Sequence, residues 1–314
     1  MQEAKRLITR FLFSSIPADW ELCAVTVDWH GEPLLLFKDG RPPRPAREAG
    51  VDAFVRWRNT PPKRHHLIYW DGAVTARVAF DNPQGLLTTS RVQPFRDGWL
   101  IVEGRGGLAR IFDKHQSLIG AIDLGDAIEH VSTTINGHIW VGYFDEGVFG
   151  GGIGQEGLVC FDSAGTPTFR YAEFARKHEL PFIHDCYSLN VVDTSVYVSY
   201  YSDFPLVWLT DFQLQRVWRD FGANKAIAVR SDHFVVFPAY HKPHLAVRSF
   251  DSTDSTVWNL VTSEGRNLSV LAGGSPDTTP TGWYVPFQCV ARDNRLYVYD
   301  QLGLYELPHH GQLR

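Results

Sequence analysis

Three features of the 314-residue sequence predict an all-β fold, a single β-propeller of about six four-stranded blades. Paired apolar runs with a polar turn between them recur six times. A second hairpin follows five of the six, and the last unit stops one strand short while a β-capable run near the N-terminus has no neighbour to pair with.

The six first hairpins are VTVDWHGEPLLLF, VQPFRDGWLIVE, VSTTINGHIWVG, LNVVDTSVYVSY, AIAVRSDHFVVF and CVARDNRLYVYD. Each joins two runs of alternating character through a tight polar turn, the pattern of a β-hairpin. Their turns centre near Gly31, Gly98, Gly137, Thr194, Asp232 and Asn294, at successive spacings of 67, 39, 57, 38 and 62 residues. The short spacings match one four-stranded blade, and the long ones imply insertions.

Second hairpins are HHLIYWDGAVTARVAF, LARIFDKHQSLIGAI, GLVCFDSAGTPTFRY, LVWLTDFQLQRVWRDF and HLAVRSFDSTDSTVWNL. Asp and Gly suit such turns because an Asp side chain bonds nearby backbone and Gly accepts positive φ. After GLYELP the sixth unit has only HHGQLR left, which holds no apolar run. The run Arg6–Ser14, RLITRFLFS, is the donor expected to complete that blade and remove its open edges. A helix is the competing reading, since AKRLITRFL also fits helical periodicity.

Asn136–Gly165, NGHIWVGYFDEGVFGGGIGQEGLVCFDSAG, resembles the repeat of two-component-regulator propellers and related bacterial propellers. In that repeat a G-x-I-W-V-G-T…G-G-L…F-D…G pattern fills the second and third strands of a blade. Tyr143 stands where the family has Thr, and a Gly-rich insertion precedes Gly157. The resemblance implies a propeller of bacterial type and, since fold does not fix function, no particular activity.

Two segments exceed a minimal blade: Lys38–Lys63, with a short helix expected around Arg47–Arg58, and Asn267–Pro286. A third, Glu173–Leu180, fits a short helical cap. Gly150, Gly151, Gly152 and Gly154 read as a flexible flap, because no G-x-x-x-x-G-K-[ST] follows them to make a phosphate cradle.

Thirty Lys and Arg against 35 Asp and Glu give a formal charge of -5, a balance that argues against nucleic acid as a partner. Arg10 interrupts the apolar run near the N-terminus, so neither a signal peptide nor a membrane span is expected and the protein reads as cytoplasmic. Cys23, Cys160, Cys186 and Cys289 are far apart within or beside apolar runs, where a thiol behaves as a small hydrophobe.

Strand order selects the site. In a four-stranded antiparallel blade the connections that precede the first strand and follow the second emerge on one face, so residues there converge on one rim. The second blade offers Glu103 and Arg105; the third, Glu129, His130, Asp145 and Glu146. The fourth offers His184, Asp185, Tyr200, Tyr201 and Asp203; the fifth, Asn224, Lys225, Tyr240, His241 and His244. Arg64, His65 and His66 lie at the matching point of the first.

Two functions fit this inventory. One is a module that recognises a protein or peptide partner, with Glu103, Arg105, His130, Tyr200, Tyr201, Asp203, Lys225 and Tyr240 as contacts. The other is a small-molecule hydrolase or lyase at the mouth of the central channel. It would use His184, Asp185, Asp145, Glu146 and His241 for acid–base work or to hold a divalent metal. No G-x-S-x-G or H-E-x-x-H motif decides between them.

Overall fold

The computed structural model describes residues 3–40, 45–72, 74–81, 91–239, 244–252, 255–268 and 287–308. Its strands form six sheets, five with four strands and one with five, antiparallel except where the fifth strand adds, in a six-bladed β-propeller. The chain divides into two compact units, Ile16–Cys186 with blades one to three and 1–15 plus 187–314 with blades four to six.

In the first unit, strands Glu21–Val27, Pro33–Asp39, Arg64–Asp71 and Val74–Asp81 make blade one. Blade two runs from Arg91–Phe95 through Gly98–Val102 and Leu108–Phe112 to Leu118–Asp123, and blade three from Ile128–Thr133 through Ile139–Tyr143 and Leu158–Phe161 to Pro167–Arg170. The polar turns behave as their residue types require. Asp28, Asp113 and Asp162 each accept two backbone N–H groups with one carboxylate oxygen, at 2.8–2.9 Å.

Blades pack through apolar faces that no blade buries alone. One cluster joins Leu34, Leu36, Leu67 and Phe80 of blade one to Val92, Ile101 and Phe112 of blade two. Another joins Leu100, Val102 and Ile111 to Val131, Ile139, Val141 and Phe161. The inner strands are also stitched together: Thr26 Oγ1 donates to Val92 O at 2.8 Å, Gln93 Nε2 to Val27 O at 3.1 Å, and Thr133 Oγ1 to Pro94 O at 2.7 Å. Residue numbers rise together from Thr26–Val92 to Val27–Gln93, and from Arg91, whose guanidinium donates to Glu129 O, to Pro94–Thr133, so the three inner strands run the same way. The ends of all three second strands therefore open on one face.

In the other unit, blade four spans Asp185–Val192 to Gln213–Trp218 and blade five Asn224–Val229 to Ser255–Val261. Blade six has three strands from Gln288–Arg292 to Gly303–Glu306, and Ile8–Leu12 pairs antiparallel with the last of them, so an N-terminal strand completes the final blade. The extension goes further than the sequence suggests. Glu3–Arg6 adds in parallel to Ser255–Val261 as a fifth strand of blade five, in a register that sets Glu3 against Trp258. Leu7 sits between the two pairings, donates its N–H to Val261 O at 2.8 Å and is wholly buried. Gly303 lets the N-terminal strand come close, since a Cβ there would lie 2.5 Å from Phe11 O.

The insertion in blade one holds the expected short helix, a 3₁₀ turn at Arg47–Ala49 running into Gly50–Arg58. The cap after blade three is a helix at Tyr171–Lys177. All but the first two residues of the 267–286 insertion lie outside the described residues. Cys160, Cys186 and Cys289 are buried and Cys23 is half-buried.

Leu7→Ala removes a side chain that packs with Leu260, Leu245, Phe287 and Tyr305. The expected cost is about 2–5 kcal/mol, read as a lower urea midpoint at unchanged slope.

Candidate functional site

On the loop face of Ile16–Cys186, the connections that follow the second strands of blades two and three pack against each other. Asp145–Phe149 forms a short helix whose backbone is pinned: Phe144 N–H donates to Ala127 O at 2.9 Å, and the Tyr143 hydroxyl donates to Leu124 O. Gly147 and Gly154 let these layers close, since a Cβ on Gly147 would lie 2.6 Å from Asp126 O and one on Gly154 2.6 Å from Gly147 O. Gly152–Glu156 is thus a folded 3₁₀ turn stacked on the helix, where the sequence suggested a flap. Gly150 and Gly154 are there for close backbone approach, and Gly151 and Gly152 for their positive φ.

That scaffold brings three of the named residues together. Arg105 pairs with Glu146 at 2.9 Å, both about half exposed. The hydrogen bond from Arg105 holds the Glu146 carboxyl below the usual range. Partial desolvation, and then the neighbouring Glu146, hold Asp145 above it. Asp126 joins the same corner by accepting Gly106 N–H at 2.6 Å and Ala127 N–H at 2.7 Å, which lowers its carboxyl.

The ring of His184 stands 5.5 Å from that of Phe149, and Asp185 is the first residue of the next strand. Phe149 is 70% exposed. Sequence reading passed over it and Phe182, also exposed. The available signal was a bulky aromatic inside a Gly-rich connection, off the strand alternation that explains the other rings.

Other named residues have structural work. Glu103 pairs with the buried Arg110 at 3.5 Å. His130 lies within the innermost strand of blade three, against Gly142 of the next. On blade one His66 Nε2 donates to the Asp39 carboxylate at 2.6 Å and the ring stacks on Trp20 with ring centroids 3.7 Å apart, an arrangement the sequence did not reveal. Beside it, burial and then the Lys38 ammonium push His65 from 6.5 down to about 4.

In the other unit, alternation along Ser195–Tyr201 separates two residues expected to act together. Tyr201 is exposed, whereas Tyr200 is fully buried, so Tyr200 packs the interior and is withdrawn as a contact. Tyr201 rests 5.4 Å from Phe204, Phe204 5.8 Å from Tyr187, and the Lys225 ammonium lies 5.4 Å over the Tyr187 ring. Asp203 is an exposed turn residue between them in sequence. Tyr240 and His241 lie outside the described residues.

The inner strands of this unit also meet one another. Asn190 of blade four donates from Nδ2 to Ile227 O at 2.7 Å and Asp293 O at 3.0 Å, and accepts Asp293 N–H at 2.8 Å. Arg292 of blade six donates to Val191 O at 2.8 Å. The innermost strand of blade four thus bonds to blade six as well as to blade five.

Two outcomes test this geometry. His65 is neutral in the fold well below the pH at which the unfolded chain protonates it, so its contribution is complete above pH 6.5 and lost as pH falls toward 4. The loss reaches at most about 3 kcal/mol, and His65→Gln should flatten the acid limb of urea-measured stability. Gly107→Ala would place a Cβ 1.5 Å from Gly125 O at a φ of +63°, and should destabilise by about 3 kcal/mol or more.

Among known structures the chain is similar to the WD40 domain of Neurospora crassa Pan2, with TM-score 0.49 and 11% identity over 98% of this chain and 97% of that one. It is similar to BamB from Moraxella catarrhalis, with TM-score 0.44 and 12% identity over 93% and 85%. A chain of the mitotic checkpoint complex gives TM-score 0.47 and 7% identity over 96% and 88%. At such identities the likeness concerns the fold alone, and the blade count rests on the sheet order above. No curated protein matches the sequence. Residues 158–272 match the model of the YxzG family, little more than a third of the chain; of the expected resemblance the propeller fold stands, and no two-component-regulator family is shown.

Proposed function

We propose that the protein is a cytoplasmic binding module that recognises a protein or peptide partner through the loop-rich face of its blades. The observation that carries this reading is Phe149, 70% exposed on a turn whose backbone is locked by close contacts. A large apolar ring held rigidly in water costs little entropy to bury, and such rings dominate the energy of protein interfaces. Phe182 and the Arg105–Glu146 pair stand in the neighbouring connections as the polar and aromatic surround such an anchor needs. Among the described residues no helix is long and apolar enough to cross a membrane.

A second reading, a small-molecule enzyme, is favoured by one feature. Asp145 and Glu146 are adjacent carboxyls displaced in opposite directions, which is how an acid and a base are set apart.

The experiment compares variants in a capture assay against the cell extract, with the retained protein identified by mass. Phe149→Ala should weaken capture about tenfold or more with an unchanged melting curve, and Asp145→Ala and His184→Ala should change it less. A stoichiometric metal in the purified protein, or turnover abolished by Asp145→Ala or His184→Ala, would replace the module by the enzyme.

A further inference from the structure

We propose that the turn face of blades five and six carries an anion site that takes a phosphate group, built on the Arg230 guanidinium. The site lies at the opposite ends of the strands from the connections that carry Tyr201 and Lys225, so it is independent of the loop-face reading.

Blade six gathers charge where its strands meet that face. Arg292 closes its first strand and Arg295 opens its second, with the exposed Asp293 in the turn between them, and Glu306 ends its third. Glu306 is buried, and each of its carboxylate oxygens already has a partner: Oε1 accepts from Arg295 at 2.9 Å, and Oε2 pairs with Arg10 of the closing strand at 3.3 Å. Arg230 follows the first strand of blade five, and Val229 N–H bonds to Asp293 O at 2.8 Å, which brings the two turns together. The Arg230 guanidinium lies within electrostatic reach of Glu306 and Asp293, yet its Nε and Nη2 are shut off from water and donate to no acceptor among the described residues. Desolvation holds its pKa below the usual value in spite of both carboxylates. Asp232, in the same turn, is bonded to His233 instead, at 2.6 Å.

Two facts define the ligand. Nε–H and the adjacent Nη2–H are the parallel donors with which a guanidinium grips an oxyanion, so the orphaned edge of Arg230 matches two oxygens of one phosphate. Folded chains rarely leave such a donor pair unsatisfied. Across the linked groups, the guanidiniums of Arg10, Arg230, Arg292 and Arg295 face only the carboxylates of Asp293 and Glu306. A phosphate dianion cancels that surplus, and a single carboxylate does not. The side chains of Arg10 and Arg295 are 25% and 23% exposed and Arg230 is half-buried, so the cluster meets water at the turn face. Rotation of the long Arg230 side chain turns its donor edge onto an arriving anion, with no movement of the packed strands beneath.

The test is isothermal titration calorimetry of the full chain with inorganic phosphate at neutral pH and low salt, with acetate and phenyl phosphate as further probes. The expected result is saturation at one phosphate per chain, with acetate bound about tenfold more weakly or worse. Phenyl phosphate bound as tightly as inorganic phosphate assigns the site to a phosphomonoester, and phenyl phosphate bound more weakly assigns it to the free ion. Arg230→Gln should weaken phosphate binding about tenfold or more. Arg230→Lys, which keeps the charge but not the paired donors, should weaken it as well, whereas Arg219→Gln, at an exposed position beyond the last strand of blade four, should not. Without phosphate, Arg230→Gln should hold or raise the urea midpoint, because it removes a desolvated charge that has no partner. Added phosphate should raise the wild-type midpoint by more than that of Arg230→Gln, which registers only the general effect of the salt.

A wild-type chain without saturable phosphate binding overturns the inference, as does binding untouched by Arg230→Gln or equally weakened by Arg219→Gln. A phosphate-free Arg230→Gln chain with a lowered urea midpoint overturns it too, since the guanidinium would then be part of the frame. None of these results bears on capture of a partner through Phe149, so the binding-module reading stands or falls separately.

Discussion

A sheet edge without a neighbour is a row of backbone donors and acceptors with nothing to bond, and the last two blades depend on how that edge is met. Blade six supplies three strands of its own, and its outer edge is covered by Ile8–Leu12. Two residues earlier the same segment lies along blade five as Glu3–Arg6. Leu7 then turns a pair of backbone ladders into a packed joint, because its side chain enters the cluster built from both blades. One short run of chain therefore serves as hydrogen-bond partner twice and as core once.

Packing between blades follows the same economy. No blade has a core of its own; Leu36 and Leu67 need Ile101, and Ile111 needs Val131 and Val141. Polar bonds at the inner strands fix how far each blade slides along the next, as Gln93 does by reaching Val27 O. A scaffold held this way can carry long connections without moving, and the helices at Gly50–Arg58 and Asp145–Phe149 exploit that. Loops on such a frame are where binding residues are usually found.

Much of this was readable from residues alone. Alternating runs and Asp-led turns located the hairpins, and the odd strand count located the closing segment, because both depend on local patterns. Placing Arg105 with Glu146 required only the rule that equivalent connections share a face. The pattern gave less help where distant side chains decide. Nothing near Asn190 announces that its amide will bridge Ile227 and Asp293, and nothing near His66 foretells Trp20. The misjudged Tyr200 shows the limit of reading pairs of neighbours in a strand, where alternation must be phased against the core before either residue can be assigned to the surface. The Gly-rich stretch before Gly157 was misjudged for a related reason: several glycines in a row look the same whether they serve looseness or tight stacking.

The pairing of Glu3 with Trp258 and of Ile8 with Glu306 also sets an order of events during synthesis. The residues that finish blades five and six leave the ribosome well before the strands they pair with. A nascent chain can assemble the intervening blades as they emerge, but these two remain incomplete until those later strands have followed. Until then the N-terminal run is an adhesive strand in search of an edge, which gives the cell a reason to shield it with a chaperone.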